Sequence, residues 1–440
     1  MKKKRLIIGS ILLFFLFLGT ALFCTVFGCD EIWNYGFAVS IYKGLVPYRD
    51  FNMVITPFYP FLMSLPFHIF GINELVLQIT NSLFLVIAFF FLDEIIGDKK
   101  YIVLFFFLFP LSLVFPSYNI FLFVLFVFLL YCEEKGANDI VIGLILGFLF
   151  LTKQTVGICI LACSILFYLK NIKKNIKRIL GFLIPVTIVI IYLIINNAFI
   201  DFIDLCFMGL IDFGSKNVST PFIMTFVFIL LIINALYYII KYPKSIFNYY
   251  VLAFYSIMLP LIDIYHVQVA FLAFIVLNCY NLNISDKYDK YIKVFSIMSY
   301  IGIGLIIFIS SYPYTYPNDI NHFEYRLIAK PNIKFTKKVN NYMKKHDDKE
   351  MLLLVADAYY FKIIQDKKIN KLDLINNGNC GYNGSKKIVD ELKKHKESLF
   401  IINEVDFNKK SQIDKGALYY IKNNYKKVDS IGIYDIYSLE

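Results

Sequence analysis

Long apolar runs recur along the first three quarters of the chain, each bounded by a short polar segment. Runs that are apolar all round and span about 15–23 residues read as helices crossing a bilayer, since a surface helix would show one polar face. The first follows Met1–Arg5 and extends from Leu6 to Gly28. Others are expected at 75–96, 101–116, 118–132, 140–152, 155–170, 179–198, 221–240, 249–263, 266–282 and 292–312. The pattern predicts an α-helical polytopic membrane protein of about eleven transmembrane helices over 1–312. Past 312 the period changes. Apolar runs at Met351–Ala356, Leu372–Ile375, Leu399–Val405 and Ser430–Tyr437 alternate with helix-like stretches at 385–396 and 411–424, which predicts a small C-terminal α/β domain over 313–440.

Composition sharpens this picture. Of 440 residues, 58% are hydrophobic and only 18% charged, against about 25% charged in soluble domains. That balance excludes a cytosolic enzyme and a nucleic-acid binder with a basic groove. The net charge of +11 is spread along the chain: 1–312 holds 21 Lys/Arg to 16 Asp/Glu, and 313–440 holds 23 to 17. The eight cysteines include no CxxC pair, so neither a zinc site nor a disulfide framework is indicated.

The positive charges report topology. Val26-Phe-Gly-Cys29 resembles a lipoprotein cleavage box, but the preceding run exceeds the usual 7–15-residue signal core, so the first span is expected to stay uncleaved with a cytoplasmic N-terminus. Splitting 140–170 into a hairpin at Lys153-Gln154 puts 17 positives on the cytoplasmic side and four in outer loops. One continuous helix there would reverse the bias. The Pro-rich segment 57–70 is too short to span and belongs to a long outer loop, 29–74, with Thr56 as helix N-cap and Pro57 at the first helical position. The C-terminal domain is then extracytoplasmic.

Unusual residues gather on that outer face. Asp30-Glu31 follows the first span, and Ile32–Lys43 reads as a helix presenting Trp33, Phe37 and Ile41 at i, i+4, i+8, ended by Gly44. Gly44-Leu-Val-Pro-Tyr48-Arg49-Asp50-Phe51 comes next. Ser117-Tyr-Asn119 opens the fourth span, Leu151-Thr-Lys153-Gln154 tips the hairpin, and Asp263-Ile-Tyr-His266 joins the ninth and tenth spans. Each has a bland alternative. Acidic pairs are commonly solvated, Arg49 can simply pair with Asp50, Lys153 can snorkel at a helix end, and Asp263 and His266 can sit in a wet turn. Arg326 can merely anchor the tail. The turn Asn376–Gly384 could bind a ligand through backbone amides, but it lacks phosphate-loop spacing and reads first as a strand-to-helix loop.

Asp-Glu after the first span, a short helix, G-x-x-P-Y-x-D-F and a Pro-containing segment ending in Phe70-Gly71 resemble the first outer loop of GT-C-type glycosyltransferases. The nearest patterns are the bacterial protein O-mannosyltransferase-like and aminoarabinose-transferase-like enzymes. The resemblance implies an inverting transfer of a sugar from a polyprenyl-phosphate donor to a hydroxyl on an envelope glycan, lipid or protein. It implies Asp30 as the base, with Glu31 positioning the acceptor or the aromatic helix. Arg49, Lys153, Gln154 and Arg326 are then candidates for the donor phosphate, and Trp33, Tyr48, Asp50, Asn119, Asp263 and His266 for the acceptor or sugar. The second outer loop, Pro116–Asn119, lacks the acid that some relatives use for a metal, so no cofactor is expected, although Asp30, Asp50 and Asp263 could assemble a divalent-cation site. The competing classes are a transporter or flippase of lipid-linked sugars and a glycan polymerase or ligase. A transporter would show paired repeats and midplane polar residues, whereas the polar residues here collect at one face.

Overall fold

The computed structural model describes residues 2–26, 29–96, 117–216, 222–281, 298, 301–302, 305, 315–317, 333–355, 358, 361–362, 366–367, 369–373, 379–396, 398–403 and 415–439. It is mostly helical, with a small C-terminal sheet. Four described helices are long and apolar enough to cross a membrane: Glu74–Ile96, Ile172–Ile195, Phe222–Lys241 and Ile264–Asn281. The helices Tyr118–Glu134, Asp139–Thr152, Gln154–Phe167 and Ile246–Phe254 are shorter. The runs at 101–116 and 292–312 fall outside the described residues apart from 298, 301–302 and 305, so a count of eleven stays an expectation from sequence. The first helix, Lys2–Phe23, stops earlier than its apolar run, and Cys24–Val26 is extended.

The chain forms two compact units that cut across its order. The first comprises Met1–Cys24, Glu74–Val189 and Ser219–Thr315. Its centre is the helix Ile264–Asn281, in which every residue from Val267 to Cys279 is buried. Ile172–Ile195 instead leaves Leu183, Ile184, Ile188 and Ile191 exposed, as a helix facing lipid does. The helix Asp139–Thr152 starts where Asn138 accepts the Ile140 amide at 2.9 Å. It breaks at Lys153, whose extended backbone (φ −149°, ψ 108°) turns the chain straight into Gln154–Phe167. The two helices pack on each other so closely that a Cβ at Gly157 would enter the Phe150 backbone. Small residues also let Asp139–Thr152 cross Ile172–Ile195, since a Cβ on Gly143 would strike the Arg178 carbonyl and lie 2.8 Å from the Gly181 Cα.

At the other end of this unit, Arg178 is buried with its side chain 1% exposed. It grips Glu133 through two bonds of 2.6 and 2.9 Å, Asp139 at 2.9 Å, Ser164 at 2.8 Å and the Tyr250 hydroxyl at 2.9 Å. Tyr250 donates in turn to Glu133 at 2.7 Å. One guanidinium thereby ties together five helices, using all three of its nitrogens. Reciprocal amide bonds between Asn234 and Asn278 (3.2 and 3.3 Å) join Phe222–Lys241 to Ile264–Asn281.

The second unit comprises Thr25–Asn73, Ile190–Val218 and Tyr316–Glu440. Its sheet has the order β1-β2-β4-β3, where β1 is Met351–Leu354, β2 Leu399–Asn403, β3 Lys426–Ile431 and β4 Tyr434–Ser438. β1 and β2 are parallel, and the remaining pairs antiparallel. Period-2 alternation sends Leu352, Leu354, Phe400 and Ile402 to one core beneath the helices Gly384–Leu392 and Lys415–Asn424. Leu353, Ile401 and Ile436 go to the other, with Val339 and Met343 of the helix Ile333–Lys345. The tail is thus an α/β layer structure with Lys426–Ile431 as an exposed edge and the other three strands covered on both faces.

Two sequence expectations are corrected in this domain. Ser430–Tyr437 is not one strand but parts of two, turning at Gly432 (φ +65°). Leu372 begins no strand: Lys371–Asp373 is a 3₁₀ turn, because Asp373 accepts the Asn370 amide (2.7 Å) and Asn370 accepts the Leu372 amide (2.9 Å). Such side-chain bonds compete with a sheet ladder for the backbone.

Candidate active site

The candidate residues fall into two sets, one in each unit. In the second unit Asp30 and Glu31 occupy the first turn of the helix Cys29–Tyr42; their side chains, and Arg326 entirely, lie outside the described residues. Three residues on, the Trp33 indole Nε1 is buried with no hydrogen-bond partner among the described residues. The helix is not an amphipathic rod on a surface. Residues Asn34–Ser40 are all buried, and Phe37 stacks on Phe51 at 5.9 Å. It ends in a Schellman closure, with Leu45 N bonded to Ser40 O (3.0 Å) and Gly44 N to Ile41 O (2.9 Å), for which Gly44 adopts φ +80°.

The following loop is held by its own side chains. Asp50 accepts the Val46 amide at 2.7 Å and takes both Arg49 bonds, at 2.8 and 2.9 Å. Arg49 also reaches the Asn196 carbonyl at 3.3 Å. The Arg49 guanidinium holds the Asp50 carboxyl below the usual carboxylate range against the opposing effect of partial burial, with Lys371 adding a smaller pull. Tyr48 adopts φ +70° and is fully buried, its hydroxyl donating to Ile55 O at 2.8 Å and its ring against Phe202. Tyr48 therefore shapes the loop from beneath. The helix Phe58–Phe70 then begins with Pro57 itself at the cap position, one residue later than the expected Thr56 cap, and ends at Gly71 (φ +78°).

The tail domain grips this loop and the segment 199–213. Asn52 donates to Lys371 O at 3.0 Å, Lys43 pairs with Asp366 at 2.6 Å, and Lys371 pairs with Asp201 at 2.7 Å. Lys387 pairs with Asp204. The Asn/Gly-rich turn does bind carboxylates through its amides, but they belong to the chain: Tyr382 N reaches Asp204 (3.2 Å) and Asn383 N reaches Asp212 (3.0 Å). Gly381 (φ +77°) makes room, since a Cβ there would enter the Asp204 carboxylate. The sequence reading missed this docking. Its one signal was three acids, Asp201, Asp204 and Asp212, in an otherwise apolar stretch.

In the first unit the structure brings Asn119, Lys153, Asp263 and His266 into one neighbourhood. The Lys153 ammonium, with the residue 9% exposed, donates to Asn119 Oδ1 at 3.2 Å and to Ile257 O at 3.3 Å, and lies 5.5 Å over the Tyr118 ring. Gln154 is buried beside it. Asp263 caps the helix Ile264–Asn281 by accepting the His266 amide at 2.9 Å, and its same oxygen meets His266 Nδ1 at 2.8 Å. The Asp263 carboxylate feels the charges of both His266 and Lys153. Three hydroxyls around Lys153 and Ile257, those of Thr155, Tyr255 and Ser256, are buried without a hydrogen-bond partner among the described residues. Buried polar groups seldom stay unsatisfied, so they mark a place where a polyhydroxylated ligand or water would bind. Glu74 and Gln78, bonded at 2.5 Å at the start of the helix Glu74–Ile96, were not singled out from sequence. No cluster of three metal-ligating side chains occurs among the described residues.

No family model matches the chain, and no curated protein does. Among solved structures the chain is similar to ArnT from Cupriavidus metallidurans, an aminoarabinose transferase of GT-C type solved bound to undecaprenyl phosphate. The TM-score is 0.55 at 9% identity, over 98% of this chain and 97% of that one. The likeness shows the fold alone: over nearly its whole length the chain has a fold similar to that structure.

Proposed function

We propose that the chain is an inverting glycosyltransferase that moves a sugar from a polyprenyl-phosphate donor to a hydroxyl of an envelope glycan, lipid or protein, at the outer face of the membrane. The observation that carries this reading is the end-to-end fold likeness to a protein solved with undecaprenyl phosphate bound. A hydroxyl is a poor nucleophile, so a carboxylate must take its proton as the bond forms. Asp30 is that base: the acceptor oxygen attacks the anomeric carbon from the face opposite the phosphate, its proton passes to Asp30, and the bond from carbon to phosphate oxygen breaks.

The departing polyprenyl phosphate gains negative charge, and a preorganised cation stabilises it most where water is excluded. Lys153 fits that role, because burial beside Asn119, Ile257 and the Tyr118 ring holds its ammonium in place. Arg49 is less suited, since its guanidinium already clasps Asp50. The Lys153→Gln variant is expected to lose about 100-fold in kcat/KM, the cost of one such donor, with the donor KM rising. Asp263 and His266 are the groups assigned to the acceptor or the sugar in this reading.

The test incubates purified protein in lipid with a panel of polyprenyl-phosphate sugars plus acceptor-containing membrane extract, and follows donor loss by mass spectrometry. Consumption of one donor, with release of the polyprenyl phosphate, supports the transferase. Well-folded protein that leaves every donor intact, yet moves labelled lipid-linked sugar between leaflets, would make it a transporter.

A further inference from the structure

A cavity of about 640 Å³ opens at the far end of the first unit, away from Lys153 along the helices. It lies where Tyr118–Glu134, Phe222–Lys241 and Ile264–Asn281 all finish, the end that the charge distribution assigns to the cytoplasm. Its wall carries both signs of charge, including Glu133, Glu134, Lys241 and Lys244. Their states differ. Glu133 is consumed by the two bonds from Arg178, and Lys241 lies against the Tyr242 ring at 5.3 Å. Glu134 accepts one neutral bond, from the Tyr280 hydroxyl at 2.8 Å, and has no ion pair among the described residues. Lys244 lines the same cavity and likewise has no ion pair among them. An opposite pair that served only each other would close to salt-bridge distance; these two face one cavity and remain apart.

The aromatic walls narrow the ligand. Tyr168 already carries Lys174 at 3.7 Å and Arg178 at 4.5 Å, while Tyr280 stacks on Phe247 at 3.9 Å. With the rings so engaged, a quaternary ammonium finds no free aromatic cage. A primary ammonium does find a partner, because Glu134 has acceptor capacity beyond the Tyr280 bond. The convergent helix C-termini favour a cation on that side. Tyr168, Tyr242 and Tyr280 in the wall suit headgroup depth.

We propose that this cavity binds a zwitterion composed of a phosphate ester and a primary ammonium, as in an ethanolamine phospholipid headgroup, with Glu134 holding the ammonium and Lys244 the phosphate. The site is independent of sugar transfer and lies at the opposite end of the bundle.

Native mass spectrometry of the full-length protein in detergent tests it, using dihexanoyl-phosphatidylethanolamine, the matching choline and glycerol lipids, and free phosphoethanolamine. The ethanolamine lipid is expected to bind about 10-fold tighter than the choline lipid, the value of one charge-assisted hydrogen bond. Glu134→Gln keeps an acceptor for Tyr280 and is expected to erase that preference. Lys244→Ala is expected to weaken all three lipids alike while the preference stays. Both residues are exposed, so folding should survive, and an unchanged melting temperature checks this. Phosphoethanolamine binding as tightly as the lipid supports the same site with a soluble source. Equal binding of ethanolamine and choline lipids by the unaltered protein, or a preference that persists in Glu134→Gln, would overturn the assignment.

Discussion

Asp30→Asn is expected to fold like the unaltered protein and to lose sugar transfer by about 10³-fold, within the usual contribution of a positioned general base. The exchange preserves shape and removes the group that can accept a proton, so the loss should fall on kcat with little change in donor KM. Asn at the first turn of the helix Cys29–Tyr42 is also compatible with that helix start, which separates a chemical loss from a structural one. Steady-state kinetics on the consumed donor, beside a thermal melt in the same detergent, makes the measurement. Transfer at the unaltered rate would remove Asp30 as the base. A loss confined to KM would make it a binding group instead.

The largest stability effect is expected at Arg178. Removing its side chain in Arg178→Ala leaves Glu133 and Asp139 facing each other at the bundle end without their common cation, and takes a donor away from Ser164 and Tyr250. Breaking a buried pair from one side costs about 3–5 kcal/mol, because the surviving charge stays desolvated. Arg178→Lys should recover only part of this, since an ammonium cannot make the two-pronged bond to Glu133 while also reaching Asp139. Adding Glu133→Gln to Arg178→Ala should restore some stability by removing one stranded charge. Melting temperatures of the unaltered protein, Arg178→Ala, Glu133→Gln and the two combined form a double-mutant cycle. A melt of Arg178→Ala equal to that of the unaltered protein, or a strictly additive cycle, would show that the cluster is solvated and contributes little.

Arg178 also shows where sequence reasoning stops. Along the chain it is one of five positive residues between Lys170 and Arg178, and its sign alone informs topology. Burial singles it out from Lys173 and Lys177, and burial follows from the close crossing permitted by Gly143 and Gly181. Tyr48 is similar. Its motif pointed to sugar binding, whereas a positive φ turns its ring inward to close the loop from below. Lys153 was legible for a different reason. A lysine and a glutamine interrupting an apolar run are costly enough to stand out, and the structure finds a helix break there, with Asn119 supplying the oxygen.

Local sequence was enough for the mostly helical membrane character, the break at Lys153, the helix before Gly44 and an α/β tail. These follow from local quantities: hydropathy over one helix length, period-2 alternation, and the conformational demands of Gly and Pro. Tertiary structure alone decided which distant residues meet. Asn52 bonds to the Lys371 carbonyl, Asp204 and Asp212 fill the amides of the turn at 382–383, and Asp263 shares its surroundings with Lys153. No local pattern encodes such pairings, because each exists only once helices and sheet have packed. The physical reason lies in range: apolar burial and backbone geometry act within a few residues of chain, whereas a hydrogen bond is blind to sequence separation and answers only to distance and angle in space.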